Sequence, residues 1–486
     1  MLNTNAHVHV FTADQSPEIQ FYYLLWNVFE TKLCRSGIKL PWPLPVLHLR
    51  LEDLARYSCG VRLGLRLAVL LNLVPKDFDD SLVGLVRTIE AMTHASATDI
   101  QHTLGMPGGP EQISGRTFLR SLMGRLAASE ARHEPYPFSA VLAALVHDLY
   151  ALHRAGQGSA TAVSQQSLLE AFYAPDDGKA RYKRVVLLTV NFDCAFQGLD
   201  RYGLAKTPDI SFAEQVADVA KIATDPAVAK KLAELAGHAV DVRPFLCVDP
   251  RYQPEGGLDA WVKERVSLDM GPFKGLKVYP PMGFNPAELR TILLWCKEQS
   301  IPVTSHCSMG GAGIRGLDKT EDFADPTRWT VLLDEMCEQG GPGVFRLNLA
   351  HFSDLTRSLD KEAAKTWSDE IIAMMEKYQD SGQVEIYSDL GYCVVGPDDW
   401  PVFEHNVLRL RSSQLDRWVL FGSDWWNYLP DYTDEAAYVE QLRLASEREG
   451  LFDHALLNDN AEWFLGLKGK GPRPHAPSRR SPAIAV

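Results

Sequence analysis

Hydrophobic positions follow two different periodicities in two parts of the chain. Between about residues 12 and 184, apolar residues recur at the spacing of amphipathic helices, and strand-like alternation is scarce. From residue 184 onward, short β-branched and apolar runs alternate with amphipathic helical segments. This alternation is typical of repeated βα units and a parallel sheet, so the pattern predicts a long helical segment followed by an α/β domain.

Short apolar runs locate the strands. A first strand is predicted at the N-terminus, over residues 5–11, and seven more at 185–190, 240–248, 276–279, 302–305, 345–350, 384–388 and 418–421. Helices are predicted between them, at 212–223, 227–236, 258–266, 286–299, 326–338, 366–380, 400–411 and 434–447. Eight parallel strands with intervening helices predict a (β/α)8 TIM barrel.

The helical segment interrupts this barrel after its first strand. The barrel would comprise residues 1–11 and 184–467, and a large helical insertion would span 12–183. Helices within the insertion are predicted at 17–33, 48–73, 80–93, 115–133, 139–155 and 162–173. We expect the insertion to act as a cap over the barrel mouth or as an interface in a homo-oligomer. Residues 468–486 are rich in Pro, Gly and Arg and are predicted to be a disordered tail.

Composition and charge narrow the class of protein. A chain of 486 residues that is 46% hydrophobic can bury a large core. Its net charge of −13 argues against nucleic acid or an anionic membrane as the main partner. The most apolar run, 61–75, is shorter than the roughly 20 residues that cross a bilayer. Eight scattered cysteines without a Cys-x-x-Cys pair, and no predicted signal peptide ahead of His7, favour a reducing, cytoplasmic compartment.

Polar side chains recur at the predicted strand ends, where a TIM barrel carries its active site. His7 and His9 are two residues apart on the first strand, so both side chains face the same side and could bind one ion. The fourth strand carries Lys277 and Tyr279. The fifth to eighth strands end at His306, His351, Asp389 and Asp424. These residue types suit metal binding and proton transfer.

Seven segments carry a family pattern in this order. They are AHVHVF at 6–11, GLKVYPP at 275–281, VTSH at 303–306, LNLAH at 347–351, VEIYSD at 384–389, VLFGSD at 419–424 and NAEWFLG at 460–466. Together they resemble the amidohydrolase superfamily of metal-dependent barrel enzymes, nearest its amidohydrolase-2 branch of hydrolases, lactonases, hydratases and decarboxylases. The resemblance covers residues 1–11 and 184–467 and does not extend to the helical insertion.

The resemblance implies a metal site and its ligands. His7, His9 and Asp424 would bind one divalent ion, with His306 as a further ligand. Zinc is the expected ion, manganese and iron also accept such ligands, and one ion is favoured over two. Asp424 would also take a proton from the attacking water as a catalytic residue. The second catalytic residue, His351, would be the acid/base in single-metal members or a ligand of the second ion in two-metal members.

Several residues near this site have two interpretations. Lys277 would bridge two metals if carbamylated; unmodified, it would hold a substrate carboxylate or lie behind the ligands. We assign Lys277, Tyr279 and Arg315 to substrate binding. Arg315 belongs to the glycine-rich segment 308–316, which is equally compatible with a surface loop. Asp389 is compatible with a role in the site and equally with a role as a turn or cap residue.

The leading hypothesis is a metal-dependent hydrolase that activates water to cleave an amide, ester or lactone bond in a small organic substrate. The first alternative is a non-oxidative decarboxylase of a small carboxylic acid, in which His351 handles the proton. A non-catalytic barrel scaffold is the second alternative. Release of carbon dioxide without net water uptake would separate the first two activities.

Overall fold

The computed structural model describes most of the predicted barrel. The described residues are 4–9, 165–173, 182–194, 211–308, 323–353, 367–391, 393, 400–424, 439–440, 442 and 459–474. All of them lie in one of the two compact units into which the chain divides. Outside the described residues lie the predicted helices between 17 and 155, Arg315, most of the predicted helix 434–447 and the tail from residue 475.

Eight parallel strands form one sheet in sequence order, from β1 to β8. They are β1 (Thr4–His9), β2 (Arg184–Leu188), β3 (Asp241–Val248), β4 (Gly275–Val278), β5 (Val303–His306), β6 (Phe345–Ala350), β7 (Val384–Asp389) and β8 (Val419–Leu420). Each predicted strand is present, with ends that differ from the prediction by at most two residues. Nearly every residue in these strands is buried, because both faces of the sheet are covered.

The first and last strands close the sheet into a barrel. Ala6 N donates a hydrogen bond to Phe421 O at 2.9 Å, and Asp424 N donates to His7 O at 2.9 Å. The side chain of Asn5 adds two bonds to Ser423, one from the backbone N–H at 3.1 Å and one to the hydroxyl at 2.7 Å. The predicted (β/α)8 TIM barrel is therefore confirmed.

Helices alternate with the strands. They are α1 (Gln165–Tyr173), α2 (Phe212–Thr224), α3 (Pro226–Ala236), α4 (Leu258–Arg265), α5 (Arg290–Gln299), α6 (Thr330–Gln339), α7 (Trp367–Tyr378), α8 (Trp400–Ser412) and α9 (Asn460–Phe464). Local sequence explains several of their ends. Ser211 and Glu214 form a capping box at the start of α2, and Asp225 caps α3, whose first residue is Pro226. None of the described helices is long and apolar enough to span a membrane.

Two predicted helices begin as short 3-10 turns. Pro286–Leu289 precedes α5 and Pro326–Trp329 precedes α6, with Asn285 and Asp325 as side-chain caps. The caps and the prolines initiate the turn, since proline suits the first helical position. Helix α1 belongs to the segment predicted as insertion and packs against α2 and α3.

The amino-terminal ends of β6 and β7 hold a buried charged cluster. Arg346 Nε lies 3.1 Å from Glu385 Oε2, and both side chains are almost fully buried. Arg346 Nη2 also donates to the carbonyl oxygens of Gly469 (3.0 Å) and Gly471 (2.6 Å). The backbone N–H of Arg473 donates to Glu385. Residues 468–474, at the start of the predicted tail, therefore pack against the barrel, because their backbone carbonyls are partners of a buried guanidinium.

Candidate metal centre

Three side-chain atoms converge at the carboxyl-terminal ends of β1 and β8. His7 Nε2 lies 3.3 Å from His9 Nε2, and each of these nitrogens lies 3.4 Å from Asp424 Oδ1. The two histidines share a face because side chains alternate along a strand. Asp424 arrives from the segment that follows β8. All three residues are at least 96% buried.

Hydrogen bonds on the far side of each ring determine which nitrogen carries the proton. His9 Nδ1 lies 3.3 Å from Leu188 O, which only accepts, so Nδ1 donates and Nε2 has a lone pair. His7 Nδ1 lies 3.0 Å from the Asp389 carboxylate, which gives the same tautomer. Two lone pairs and a carboxylate oxygen therefore face one another with no proton between them. A bound cation would accept these lone pairs and balance the negative charge of the carboxylate.

The electrostatic surroundings keep the two imidazoles neutral. Burial lowers the pKa of both His7 and His9. This effect outweighs Asp424, which raises the pKa of both, and Asp389, which raises that of His7. Neutral imidazole is the form that binds metal ions. Burial alone would raise the pKa of Asp389. The charges and hydrogen bonds of His7 and its other partners outweigh burial, and hold this pKa well below its ordinary value.

The spacing of the three atoms fits one bound ion. Ligands 2.0 to 2.2 Å from a tetrahedral ion lie about 3.3 to 3.6 Å apart, and His7, His9 and Asp424 show separations of 3.3, 3.4 and 3.4 Å. Neutral imidazoles and a carboxylate are the donor set that zinc accepts. The residues present therefore fit a divalent ion.

Two more histidines lie beside this centre and are hydrogen-bonded to each other. His351 Nδ1 lies 3.0 Å from Gly391 O and therefore donates to it, so His351 Nε2 accepts a hydrogen bond from the N–H of His306 Nδ1 at 3.1 Å. His306 Nε2 in turn accepts from the Ser308 hydroxyl at 3.1 Å. His351 Nδ1 also lies 4.0 Å from Asp424 Oδ2. His351 is thus adjacent to the centre and linked directly to His306.

The structure does not group His306 with the other predicted ligands. Among the described residues, two groups of potential ligands have all their ligand atoms within 4.8 Å of one another. One contains His7, His9 and Asp424, and the other contains His7, His351 and Asp389. His306 belongs to neither group, and its role as a ligand stays a prediction.

The predicted substrate residues of β4 lie close to the centre. Lys277 is fully buried, and among the described residues its ammonium group has no hydrogen-bond partner. Lys277 Nζ lies 5.6 Å from the centre of the Tyr279 ring, which lies 4.6 Å from the ring of His306. Burial lowers the pKa of Lys277 to about 8, although Asp389 and Asp424 raise it. Arginine 315, the third predicted substrate residue, lies outside the described residues.

Two site residues have left-handed backbone conformations. The φ angles are 67° at His351 and 56° at Asp424. Such conformations are uncommon outside glycine and concentrate at functional sites. Close backbone packing accompanies them, since a Cβ at Gly422 would lie 2.7 Å from His7 Cβ. The strand ends are therefore held tightly against one another.

Sequence reasoning assigned no definite role to Asp389. The structure buries it completely at the end of β7, in contact with His7, Asn348, His351 and Gly391. Its position at a predicted strand end was the available signal, but a strand end is also where turn and cap residues occur.

The lowered pKa values of His7 and His9 predict an acid-sensitive fold in the absence of metal. The unfolded chain binds protons on both histidines at a pKa near 6.5, whereas the folded chain does not. Chelated protein should therefore be most stable above pH 6.5 and lose up to about 1.4 kcal/mol per pH unit for each histidine as the pH falls below that value. Urea unfolding in EDTA at pH 7.5, 6.5 and 5.5 measures this change in the free energy of unfolding.

A matched pair of variants tests the assignment of this effect. His9→Gln should reduce the loss of unfolding free energy per pH unit. Substitution of the exposed His405 by Gln should leave that loss unchanged. Equal stability at pH 7.5 and 5.5 would contradict the burial of two neutral imidazoles.

Several solved structures are distantly similar to this chain. No family model and no curated protein matches the chain. A probable 2-pyrone-4,6-dicarboxylic acid hydrolase from Acinetobacter baumannii is 10% identical, covers 64% of this chain and 93% of its own, and has a TM-score of 0.36. A 2,6-dihydroxybenzoate decarboxylase from Rhizobium is 11% identical, with coverages of 66% and 92% and a TM-score of 0.36. An amidohydrolase 2 from Bifidobacterium longum subsp. infantis is 12% identical, with coverages of 64% and 91% and a TM-score of 0.32.

Proposed function

We propose that the protein is a metal-dependent enzyme of the amidohydrolase type that activates water to cleave an amide, ester or lactone bond in a small organic substrate. The observation that carries this proposal is the convergence of His7 Nε2, His9 Nε2 and Asp424 Oδ1, all unprotonated, at 3.3 to 3.4 Å from one another. A divalent ion bound there would supply Lewis acidity, which polarises a carbonyl oxygen or lowers the pKa of a water molecule.

The protein residues would handle the proton. Asp424 presents Oδ1 to the two histidines and Oδ2 to His351, whose Nδ1 is 4.0 Å away. The Asp424 carboxylate would accept the proton of the attacking water. His351 would donate its own Nδ1 proton to the leaving group and regain one from Asp424 Oδ2. His306 Nδ1 donates to His351 Nε2, so the orientation of the His351 ring is held from its other side.

One ion is favoured over two. Both groups of potential ligands include His7, and a single imidazole would have to serve both ions. In the second group, His7 Nδ1 and His351 Nδ1 are already donors, to Asp389 and to Gly391 O. We therefore propose a mononuclear centre, with zinc as the expected ion and manganese or iron as substitutes.

The connected histidines also support a second candidate function. A decarboxylase needs a proton donor beside the carbon that loses carbon dioxide, and His351 beside Asp424, with His306 behind it, provides one. In that case the ion would orient a carboxylated substrate and no water would be consumed.

The deciding experiment starts from metal analysis of the purified chain. One ion per chain is expected, removable by chelation and restored by zinc, manganese or iron. The reconstituted protein is then assayed on lactones, esters and amides, and on aromatic and unsaturated carboxylic acids. Acid formation without carbon dioxide supports the hydrolase. Carbon dioxide release without water uptake establishes the decarboxylase instead. Absence of metal, with no effect of His7 and Asp424 substitutions on the cellular role, would favour a scaffold and overturn both.

A further inference from the structure

We propose that Asp389 is a positioning residue: its carboxylate selects which nitrogen of His7 faces the ion and holds the loop that carries His351. This inference rests on the proposed metal centre and adds a residue to which no role had been assigned. Asp389 touches none of the atoms that face the ion, so it would act through His7.

Four hydrogen bonds converge on the Asp389 carboxylate. Oδ2 accepts from Asn348 Nδ2 at 2.6 Å and lies 3.0 Å from His7 Nδ1. Oδ1 accepts from the backbone N–H groups of His351, at 3.2 Å, and Gly391, at 2.9 Å. Three of these four partners can only donate in this geometry, and both oxygens are occupied as acceptors. The fourth partner, His7 Nδ1, must therefore donate as well.

This donation determines the chemistry on the other side of the ring. With the proton on Nδ1, His7 Nε2 has a lone pair directed toward His9 Nε2 and Asp424 Oδ1. The opposite tautomer would place an N–H group among the three ligand atoms and exclude a cation. A carboxylate behind a ligating histidine fixes the tautomer and raises the basicity of the ring.

The same carboxylate holds the backbone at the end of β6. His351 has a left-handed φ of 67°, and its N–H donates to Asp389 Oδ1. The loop after β7 fits closely around that oxygen, since a Cβ at Gly391 would lie 2.8 Å from it. One side chain thus orients both a proposed ligand and the proposed acid/base.

A rival interpretation makes Asp389 a ligand of a second ion, together with His7 and His351. The hydrogen bonds argue against it, because His7 Nδ1 donates to Asp389 itself and His351 Nδ1 donates to Gly391 O. A nitrogen that carries a proton has no lone pair for a metal. The two interpretations predict different metal stoichiometries, which makes them separable.

The test compares Asp389→Asn with a matched control on the same strand. Glu385 is also a nearly fully buried acid of β7, but it bonds Arg346, Tyr387 and Arg473 at the other end of the barrel. Zinc affinity is measured by competition with a chromophoric chelator. Asp389→Asn should weaken zinc binding by about 10- to 100-fold with one site retained, whereas Glu385→Gln should leave the affinity unchanged.

A second measurement reports the tautomer without metal or turnover. In zinc-free protein with ¹⁵N-labelled histidine, the His7 signals are assigned by their loss in His7→Gln. They should show Nδ1 protonated in the wild type, and a shift toward the Nε2-protonated or mixed form in Asp389→Asn. A residue that acts only through overall stability would leave the proportion of the two His7 tautomers unchanged, because the wild type and Asp389→Asn are compared while both are folded.

The outcomes separate the possibilities. Zinc affinity within twofold of the wild type, with an unchanged His7 tautomer, would overturn the proposal. A fall from two bound ions to one in Asp389→Asn would overturn it in favour of a second metal site. If the wild type binds no metal, the proposed function fails, while the tautomer of His7 still tests the inference. Should Asp389→Asn not fold, Asn348→Ala removes one donor from Oδ2 and should weaken zinc binding by about twofold to tenfold; no change would overturn the proposal.

Discussion

Replacing Asp424 by asparagine is expected to lower kcat/KM by at least about 10³-fold on the substrate that the panel identifies, and to weaken zinc binding. The change removes both a ligand and the proposed base, and general base catalysis alone contributes about 10²- to 10⁴-fold. The amide oxygen is neutral, and the amide N–H group would meet the lone pairs of His7 and His9, which lie 3.4 Å from the present carboxylate oxygen.

Asparagine is the informative substitution because it preserves the backbone. Asp424 has a φ of 56°, a conformation that asparagine tolerates about as well as aspartate. The effect should therefore come from chemistry at the site. Asp334→Asn is the control, since Asp334 lies in α6 and contacts Lys377 and Tyr378 at the surface. Unchanged zinc affinity and turnover in Asp424→Asn would show that Asp424 is neither ligand nor base.

Replacing Arg346 by methionine is expected to lower the free energy of unfolding by about 3–5 kcal/mol, because it leaves the buried Glu385 carboxylate without its cation. The change also removes the donor to the carbonyl oxygens of Gly469 and Gly471. Methionine retains an unbranched apolar chain of similar length. Chemical denaturation of the chelated protein, followed by tryptophan fluorescence, measures the loss without a contribution from bound metal.

An exposed pair provides the contrast for this prediction. Arg290 pairs with Glu335, and the Arg290 side chain is 51% exposed, so Arg290→Met should cost less than about 1 kcal/mol. The double variant with Arg346→Met and Glu385→Gln should recover part of the loss, because it removes the unpaired charge. A cost below about 1 kcal/mol for Arg346→Met would show that neither the ion pair nor the bonds from Arg346 to residues 469 and 471 contribute much to the stability of this end of the barrel.

The strands of the barrel were predictable from the sequence because the signal for them is local. A buried parallel strand is a continuous apolar run, and each of the eight runs stands between turn residues and an amphipathic helix. Once the strands are placed, the edge that carries the chemistry follows, since all carboxyl-terminal strand ends meet there. The common face of His7 and His9 follows from the alternation of side chains along one strand.

The tertiary structure decided which atoms of these residues meet. His7 and Asp389 are 382 positions apart, and no local pattern indicates that one imidazole nitrogen bonds a carboxylate while the other faces Asp424. The same holds for His306, which the family resemblance implies as a ligand and whose Nδ1 lies 3.1 Å from His351 Nε2.

The chain by itself thus determined a barrel and the set of polar residues at its mouth, because hydrophobic periodicity and strand alternation are properties of neighbouring residues. Only the tertiary structure decided the tautomers, the left-handed backbone at His351 and Asp424, and the position of Asp389 behind His7. These depend on hydrogen bonds and close packing between strands that are distant in sequence, which no local pattern of residues encodes.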